Sequence, residues 1–262
     1  MSEFVLDRPH PARAVVADLW TMIGRSTRLS SRSVEAMITA LMLPIILMLM
    51  FVYLFGGAIR TGTTYVNYVV PGTMLVCAGF GVATTAVSVS ADLATGVVDR
   101  FRSMDVRGDA IVAGHVVASV LRNLASTVLV FAVAIPVGFR SSAAPLAWLG
   151  AAGVFALFVF AMSWLCAALG VAASSPEAAT GLTFLISFLP YPSSAFVPID
   201  TMPSWLQGFA RHQPATCVID TLRGLLHGGP VASPAAQAVA WSIGIAAAGI
   251  VLAGILFRRR TA

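Results

Sequence analysis

Lysine is absent from this 262-residue sequence, and all 16 basic residues other than histidine are arginine. A phosphate-binding loop of the form G-x-x-x-x-G-K-[ST] therefore cannot exist, because its lysine has to reach the β- and γ-phosphates. Schiff-base chemistry is excluded for the same reason. Any ATP that serves this chain must be hydrolysed on another one. Charge of either sign is scarce. Only 10% of residues are Asp, Glu, Lys or Arg, where a soluble domain carries about a quarter. A surface with so little charge cannot be solvated by water on all sides. With 58% hydrophobic residues and a mean hydropathy of +0.88, the composition predicts an integral membrane protein.

Chemistry-bearing clusters are missing too. Cys77, Cys166 and Cys217 lie far apart with no C-x-x-C spacing, and they read as small buried hydrophobes. His10, His115, His212 and His227 are scattered, with no H-E-x-x-H or related pattern. No paired carboxylates and no Ser-His-Asp arrangement stand out. The expectation is a non-catalytic chain with no cofactor or metal of its own. The first 33 residues are mostly polar and carry five arginines, unlike a secretory signal peptide.

What is present is long apolar runs. A spanning helix needs about 20 mostly apolar residues. Six candidates appear: Val34–Gly57, Tyr68–Ser90, Ile111–Phe139, Leu146–Ala173, Ala178–Val197 and Ala235–Phe257. The predicted fold class is all-α integral membrane, one transmembrane domain over 1–262. It divides into a cytoplasmic segment 1–33, a six-helix region 34–257 and a tail 258–262. Orientation follows arginine placement. With the N-terminus inside, Arg8, Arg13, Arg25, Arg28, Arg32, Arg100, Arg102, Arg107, Arg258, Arg259 and Arg260 are cytoplasmic. Arg60, Arg140, Arg211 and Arg223 are outside, and Arg122 falls within the third run. Both termini are then cytoplasmic.

Before the first run, Val15, Val16, Leu19, Trp20 and Ile23 repeat at helical spacing, which predicts an interfacial helix on the inner leaflet. Between the second and third runs, "ADLATGVVDRFRSMDVRGDA" (Ala91 to Ala110) holds seven charges, about a quarter of the total. Val97, Val98, Phe101 and Met104 fall at i, i+1, i+4 and i+7 among them, the stripe of a short amphipathic helix. Such a helix suits contact with another protein; the other reading is a solvated turn that only enforces topology.

The fifth run holds Pro190, Pro192 and Pro198, and Pro203 follows it. Proline removes a helix donor and clashes with the preceding turn, so this span should break near its outer end. Irregular backbone at membrane depth is tolerated only inside protein or along a cavity. Two short helices, split at Gln213-Pro214, are expected to follow it within an outer segment 190–233. Asp220 and Arg223 sit three apart there and can pair. Glu35, His115 and Arg122 are ionisable groups in or beside apolar runs. Structural roles are expected for each, with Arg122 snorkelling inward or pairing with an acid. Phe184, Phe188 and Tyr191 on the fifth run are equally fit to line a path or to pack in a core.

These residues, in this order, resemble the membrane subunit of type-2 ABC exporters, in particular the daunorubicin-resistance-like permeases, over almost the whole chain. "NYVVPGTML" (Asn67 to Leu75) resembles the start of the family's second helix, with Tyr68, Pro71 and Gly72 in place. Asp92, Gly96, Asp99, Arg100, Phe101, Arg102 and Met104, with Gly114 downstream, resemble the signature stretch that lies against the ATP-binding subunit as a coupling helix. Asp105 stands where family members commonly have proline, which leaves the end of that helix undefined. Phe196, Pro198, Met202, Pro203, Trp205, Pro214, Asp220, Arg223 and Gly228 resemble the family's outer segment.

The resemblance implies an exporter permease for an amphipathic or lipid-like compound, such as a drug, an antibiotic or a complex lipid. It implies a second permease copy and a separate ATPase subunit that holds ATP and Mg. It places the chain in a bacterial cytoplasmic membrane among lipid, with no nucleic acid partner. A polysaccharide-exporting permease, an ATP-independent transporter or channel, and a membrane anchor that only recruits a soluble partner are the competing readings.

Overall fold

The computed structural model describes residues 21, 24, 34–98 and 108–261. Among the described residues there are eight α-helices and no strand. They are α1 (Val34–Met50), α2 (Tyr65–Ala94), α3 (Gly108–Val137), α4 (Pro145–Ala172), α5 (Pro176–Phe188), α6 (Ser204–His212), α7 (Pro214–His227) and α8 (Ala232–Thr261). α1 runs on into a π-helical turn, Phe51–Phe55, and a 3-10 turn covers Ile199–Thr201. The predicted interfacial helix around Trp20, and Asp99, Arg100, Phe101, Arg102 and Met104, lie outside the described residues.

Local chemistry explains several boundaries. Proline occupies the first turn of α4, α5 and α7, where its missing N–H costs nothing and its fixed φ suits the helix. Ser175 caps α5 by accepting the Ala178 N–H at 3.2 Å, with Glu177 in the first turn beside the positive end of the helix dipole. α4 ends at Ala172, and the Arg260 guanidinium at the end of α8 donates to the Val171 and Ala173 carbonyls, 2.6 Å each. A cation on the open carbonyls of a helix C-terminus satisfies them and complements the dipole.

Four helices, α2, α3, α4 and α8, are long and apolar enough to cross a membrane. At about 1.5 Å per residue they exceed a hydrocarbon core of roughly 30 Å. α2 and α4 are the most enclosed, with 61% of their most apolar stretch buried, against 33% in α3 and 22% in α8. α2 sits at the centre, touching α1, α3, α4, α5 and α7, and α8 lies along α4. The core between them is built on Val69, Leu75, Val82, Phe155, Val159 and Leu222. The three cysteines are buried and form no disulfide with one another.

The fifth run departs from its predicted extent. Its helix stops at Phe188 after 13 residues, roughly 20 Å of rise. Leu189 onward forms turns that hold Pro190 and Ser193–Phe196 buried. Pro190 and Pro192 account for this, because neither can donate to a continuing helix. The two short helices split at Gln213-Pro214 appear as α6 and α7. Following the orientation expected from arginine placement, the end at Tyr65, Val137, Pro145 and Ala232 is called the outer end, and that at Ala94, Gly108, Ala172 and Thr261 the inner end.

Candidate functional site

Two polar assemblies interrupt the apolar bundle, one at each end. The outer one begins with the prolines. Where α5 stops, the backbone of 189–196 has lost its helical partners and must find others. Side chains supply them. The Ser193 hydroxyl donates to the Pro190 carbonyl and accepts the Ala195 N–H, and the Gln213 amide donates to the Pro192 carbonyl. Tyr65 Oη, from the start of α2, donates to the Phe196 carbonyl at 2.8 Å.

Arg223 of α7 ties this segment to α2. Its Nη1 donates to Asp220 Oδ1 at 2.8 Å, and its Nη2 donates to the carbonyls of Ser194 (2.9 Å) and Tyr68 (3.1 Å). The Ser194 hydroxyl donates to the same Asp220 oxygen at 2.7 Å. The guanidinium also lies over the Tyr68 ring, 3.8 Å from its centroid, where the ring's negative face attracts a cation. Burial pulls the Arg223 guanidinium below the ordinary arginine range, and Tyr68 and Asp220 oppose that pull. Asp220 and Arg223 therefore form part of a half-buried clamp, their side chains 37% and 20% exposed, and not an isolated pair.

Gly72 is what lets α2 come this close. A Cβ there would sit 2.6 Å from both the Cα and the carbonyl oxygen of Ala195. The clash is with backbone, so no rotamer change can relieve it. Gly72→Ala is expected to push the 189–196 segment off α2 at a cost of about 1–3 kcal/mol, the range for overpacking a filled site. A lower melting temperature of the detergent-solubilised protein is the measurement; an unchanged one would show that the segment shifts freely.

The three candidate lining residues stand in one row. Phe184 and Phe188 have ring centroids 4.6 Å apart, Phe188 and Tyr191 5.1 Å. The row continues through Phe196 at 5.7 Å to Phe51 of the π-turn at 4.7 Å. Phe184 is 57% exposed and Phe188 41%, so the described residues leave much of this face of α5 open. The other outer-segment candidates are spread out. Pro198 precedes the 3-10 turn, Pro203 caps α6, Pro214 opens α7, and Trp205 is 80% exposed on α6. Tyr68 and Ser194, which complete the clamp, carry no local signal: they lie 155 and 29 residues from Arg223.

At the inner end, Asp92 and Gly96 belong to the described part of the charged stretch. Asp92 Oδ2 is 2.9 Å from His115 Nε2, across from α2 to α3, and both side chains are largely buried. Gly96 follows the end of α2 with φ of 69°. Val98 is buried with Ile111 of α3, and Leu93 and Phe257 of α8 pack against them. Farther in, Arg122 Nη2 donates to Thr84 Oγ1 at 2.8 Å and to the Gly81 carbonyl at 3.1 Å. Arg122, for which snorkelling or an acidic partner is the expectation, thus ties α3 to the turn of α2 at Gly81 and Thr84. No group of three or more His, Cys, Asp or Glu capable of holding a metal occurs among the described residues.

Residues 17–227 match the ABC-2 type transporter family. The chain is 34% identical to a daunorubicin resistance ABC transporter permease of Streptomyces coeruleorubidus, over 85% of this chain and 79% of that protein. It is 24% identical to a probable doxorubicin resistance ABC transporter permease of Mycobacterium tuberculosis, over 95% of this chain and 91% of that one. The chain thus belongs to the ABC-2 type transporter family: a multi-pass, non-catalytic permease subunit, homologous to drug-resistance exporter permeases, whose ATP is hydrolysed on the separate ATP-binding subunit with which it partners.

Proposed function

We propose that the chain is the membrane half of a drug or lipid exporter in a bacterial cytoplasmic membrane. Two permease copies and two ATP-binding subunits make up the working unit. Six membrane segments cross each copy. α2, α3, α4 and α8 cross as long helices, α1 with its π-turn makes the first crossing, and α5 with the turns after it makes a broken fifth. Both termini are cytoplasmic, 1–33 lies along the inner leaflet, and α6 and α7 rest in the outer leaflet without spanning. The exposed Trp205 of α6 and the half-exposed Trp241 of α8 suit that depth.

The single observation that carries the export reading is the aromatic row Phe184, Phe188 and Tyr191. Phe184 and Phe188 are exposed on α5, and Tyr191 carries the row to the core where that segment breaks. A ladder of rings offers apolar, stackable surface to an amphipathic cargo, and the break beside it places irregular backbone where a second copy or a cavity can shelter it. The 91–110 loop docks the ATP-binding subunit through Phe101 and Met104, with Asp99, Arg100 and Arg102 at the rim. ATP binding moves that loop. The outer segment, with Pro198, Pro203, Trp205 and Pro214 and the clamp of Asp220 and Arg223, gates release.

The test is purification of the tagged protein from its native membranes in a gentle detergent, followed by mass spectrometry and reconstitution in vesicles with daunorubicin as cargo. A stoichiometric partner carrying a Walker motif and ATP-dependent daunorubicin transport are expected. A chain that purifies alone and moves cargo along an ion gradient would sink this reading in favour of a secondary transporter.

A further inference from the structure

We propose that Asp92 and His115 form a positioning clasp that makes α2, the docking loop and α3 move as one lever. The inference rests on the reading of the 91–110 loop as the ATPase-docking element and goes beyond it. Family resemblance groups Asp92 with the docking residues. The geometry assigns it a different task, because its carboxylate is turned to His115 on the neighbouring helix, 2.9 Å away and largely out of solvent.

The two residues stand on the two flanks of the loop. Asp92 is in the last turn of α2, which ends at Ala94, and His115 is near the start of α3, which begins at Gly108. A push on the loop has two possible outcomes. The flanks can splay, with the backbone yielding around Gly96, and the displacement dies at the membrane surface. Alternatively the flanks stay together, and the displacement passes up both helices. A buried hydrogen bond between an acid and an imidazole opposes splaying, because opening it would leave two polar groups without that partner in a poorly solvated place. Val98 and Ile111, with Leu93 and Phe257 against them, form an apolar contact between the same two flanks. A second polar tie, from Arg122 to Thr84 and Gly81, joins the same two helices deeper in the bundle.

The far end of the lever is also held. Arg223 binds the Tyr68 carbonyl, and Gly72 lies against Ala195, so the outer end of α2 carries the broken segment with it. Coupling over such a distance needs a contiguous body joined to an element with two arrangements. Here the body is the α2–α3 pair and the element is the 189–196 segment.

The experiment exploits which imidazole nitrogen makes the bond. It is Nε2, a position that the amide nitrogen of Gln reaches and that of Asn does not. The whole complex, with its ATP-binding subunit, is compared as wild type, His115→Gln and His115→Asn by hydrogen exchange of peptides from 190–203, with and without ATP plus vanadate. Wild type and the Gln variant are expected to show a nucleotide-dependent change in that segment. The Asn variant is expected to keep its ATP-binding subunit and to lose the change about tenfold, within the usual span of coupling between sites. Equal responses from the Gln and Asn variants, large or small, would overturn the clasp. An Asn variant that fails to accumulate while the Gln variant does would also overturn it, by making the bond structural. A wild-type complex with no nucleotide response at 190–203 would refute the lever. A wild-type preparation with no ATP-binding subunit would instead refute the docking reading beneath it.

Discussion

A chain carrying Phe101→Asp is expected to enter the membrane normally and to purify without its ATP-binding subunit. Helical spacing would set Val97, Val98, Phe101 and Met104 in one stripe. The structure shows where its inner part goes: Val98 is 2% exposed, packed on Ile111 of the same chain. Phe101 is the next large apolar residue along the stripe, and among the loop's charges it is the side chain best suited to fill a partner's groove. Aromatic anchors at interface centres are worth about 2–4 kcal/mol when truncated. An aspartate adds a desolvated charge to that loss. At about 1.4 kcal/mol per factor of ten, affinity falls by at least 30-fold or so. Insertion is unaffected, because one acid in a cytoplasmic loop barely alters the arginine bias that sets orientation. Arg100→Ala and Arg102→Ala are expected to act differently, raising the sensitivity of the complex to salt more than abolishing it. Pull-down of the ATP-binding subunit, normalised to membrane-inserted permease, measures all three. Survival of the Phe101→Asp complex at wild-type yield would remove the loop from the docking surface.

The parts of this architecture legible from sequence are those governed by local rules. α2, α3, α4 and α8 are long apolar runs ended by charge, glycine or proline, and each predicted span falls largely within its helix, with ends differing by up to four residues. The Gln213-Pro214 split was readable because proline opens helices more readily than it continues them. The break after Phe188 is expected for the same reason, with an outer segment from 190, and the helix ends two residues before Pro190. Hydropathy counts Leu189 through Val197 as membrane-fit, whereas Pro190 and Pro192 end the helix as soon as they arrive. The pairing of Asp220 with Arg223 needed only a helical spacing of three. What was not legible depends on tertiary contact. Nothing near Arg223 marks Tyr68 or Ser194 as its acceptors. Asp92 and His115 were each noticed, one as a docking residue and one as a stray histidine, but nothing in a 23-residue separation says that they touch. Arg122 could not be assigned to the Thr84 stripe until the register of α2 against α3 was known.

Arg223→Ala is expected to abolish export while the permease still assembles with its partners. The guanidinium holds one carboxylate, two main-chain carbonyls and the face of an aromatic ring, and these acceptors come from three separate parts of the chain. Removing it takes one donor from each of the Tyr68 and Ser194 carbonyls and leaves Asp220 with Ser194 but without the Arg223 cation. Breaking a fully buried pair costs about 3–5 kcal/mol. The Asp220 side chain is 37% exposed, so water recovers part of that, and the lower end of the range is the better expectation. The loss is confined to the outer end. The Arg260 tie from α8 to α4 and the Asp92–His115 tie at the inner end involve no clamp residue, so insertion and ATPase docking are expected to persist. What disappears is the fixed relation between α2 and the 189–196 segment, and with it the path by which a displaced α2 could move a gate. Arg223→Lys separates charge from geometry. An ammonium keeps the attraction to Asp220 and the Tyr68 ring, but as a point charge it lacks the planar fork that reaches the carboxylate and both carbonyls together. Its export rate should therefore fall between wild type and the alanine variant. The assay is ATP-driven transport in vesicles, with the amount of ATP-binding subunit measured in the same preparation. Wild-type export by Arg223→Ala would reduce the clamp to packing and detach α7 from the gate.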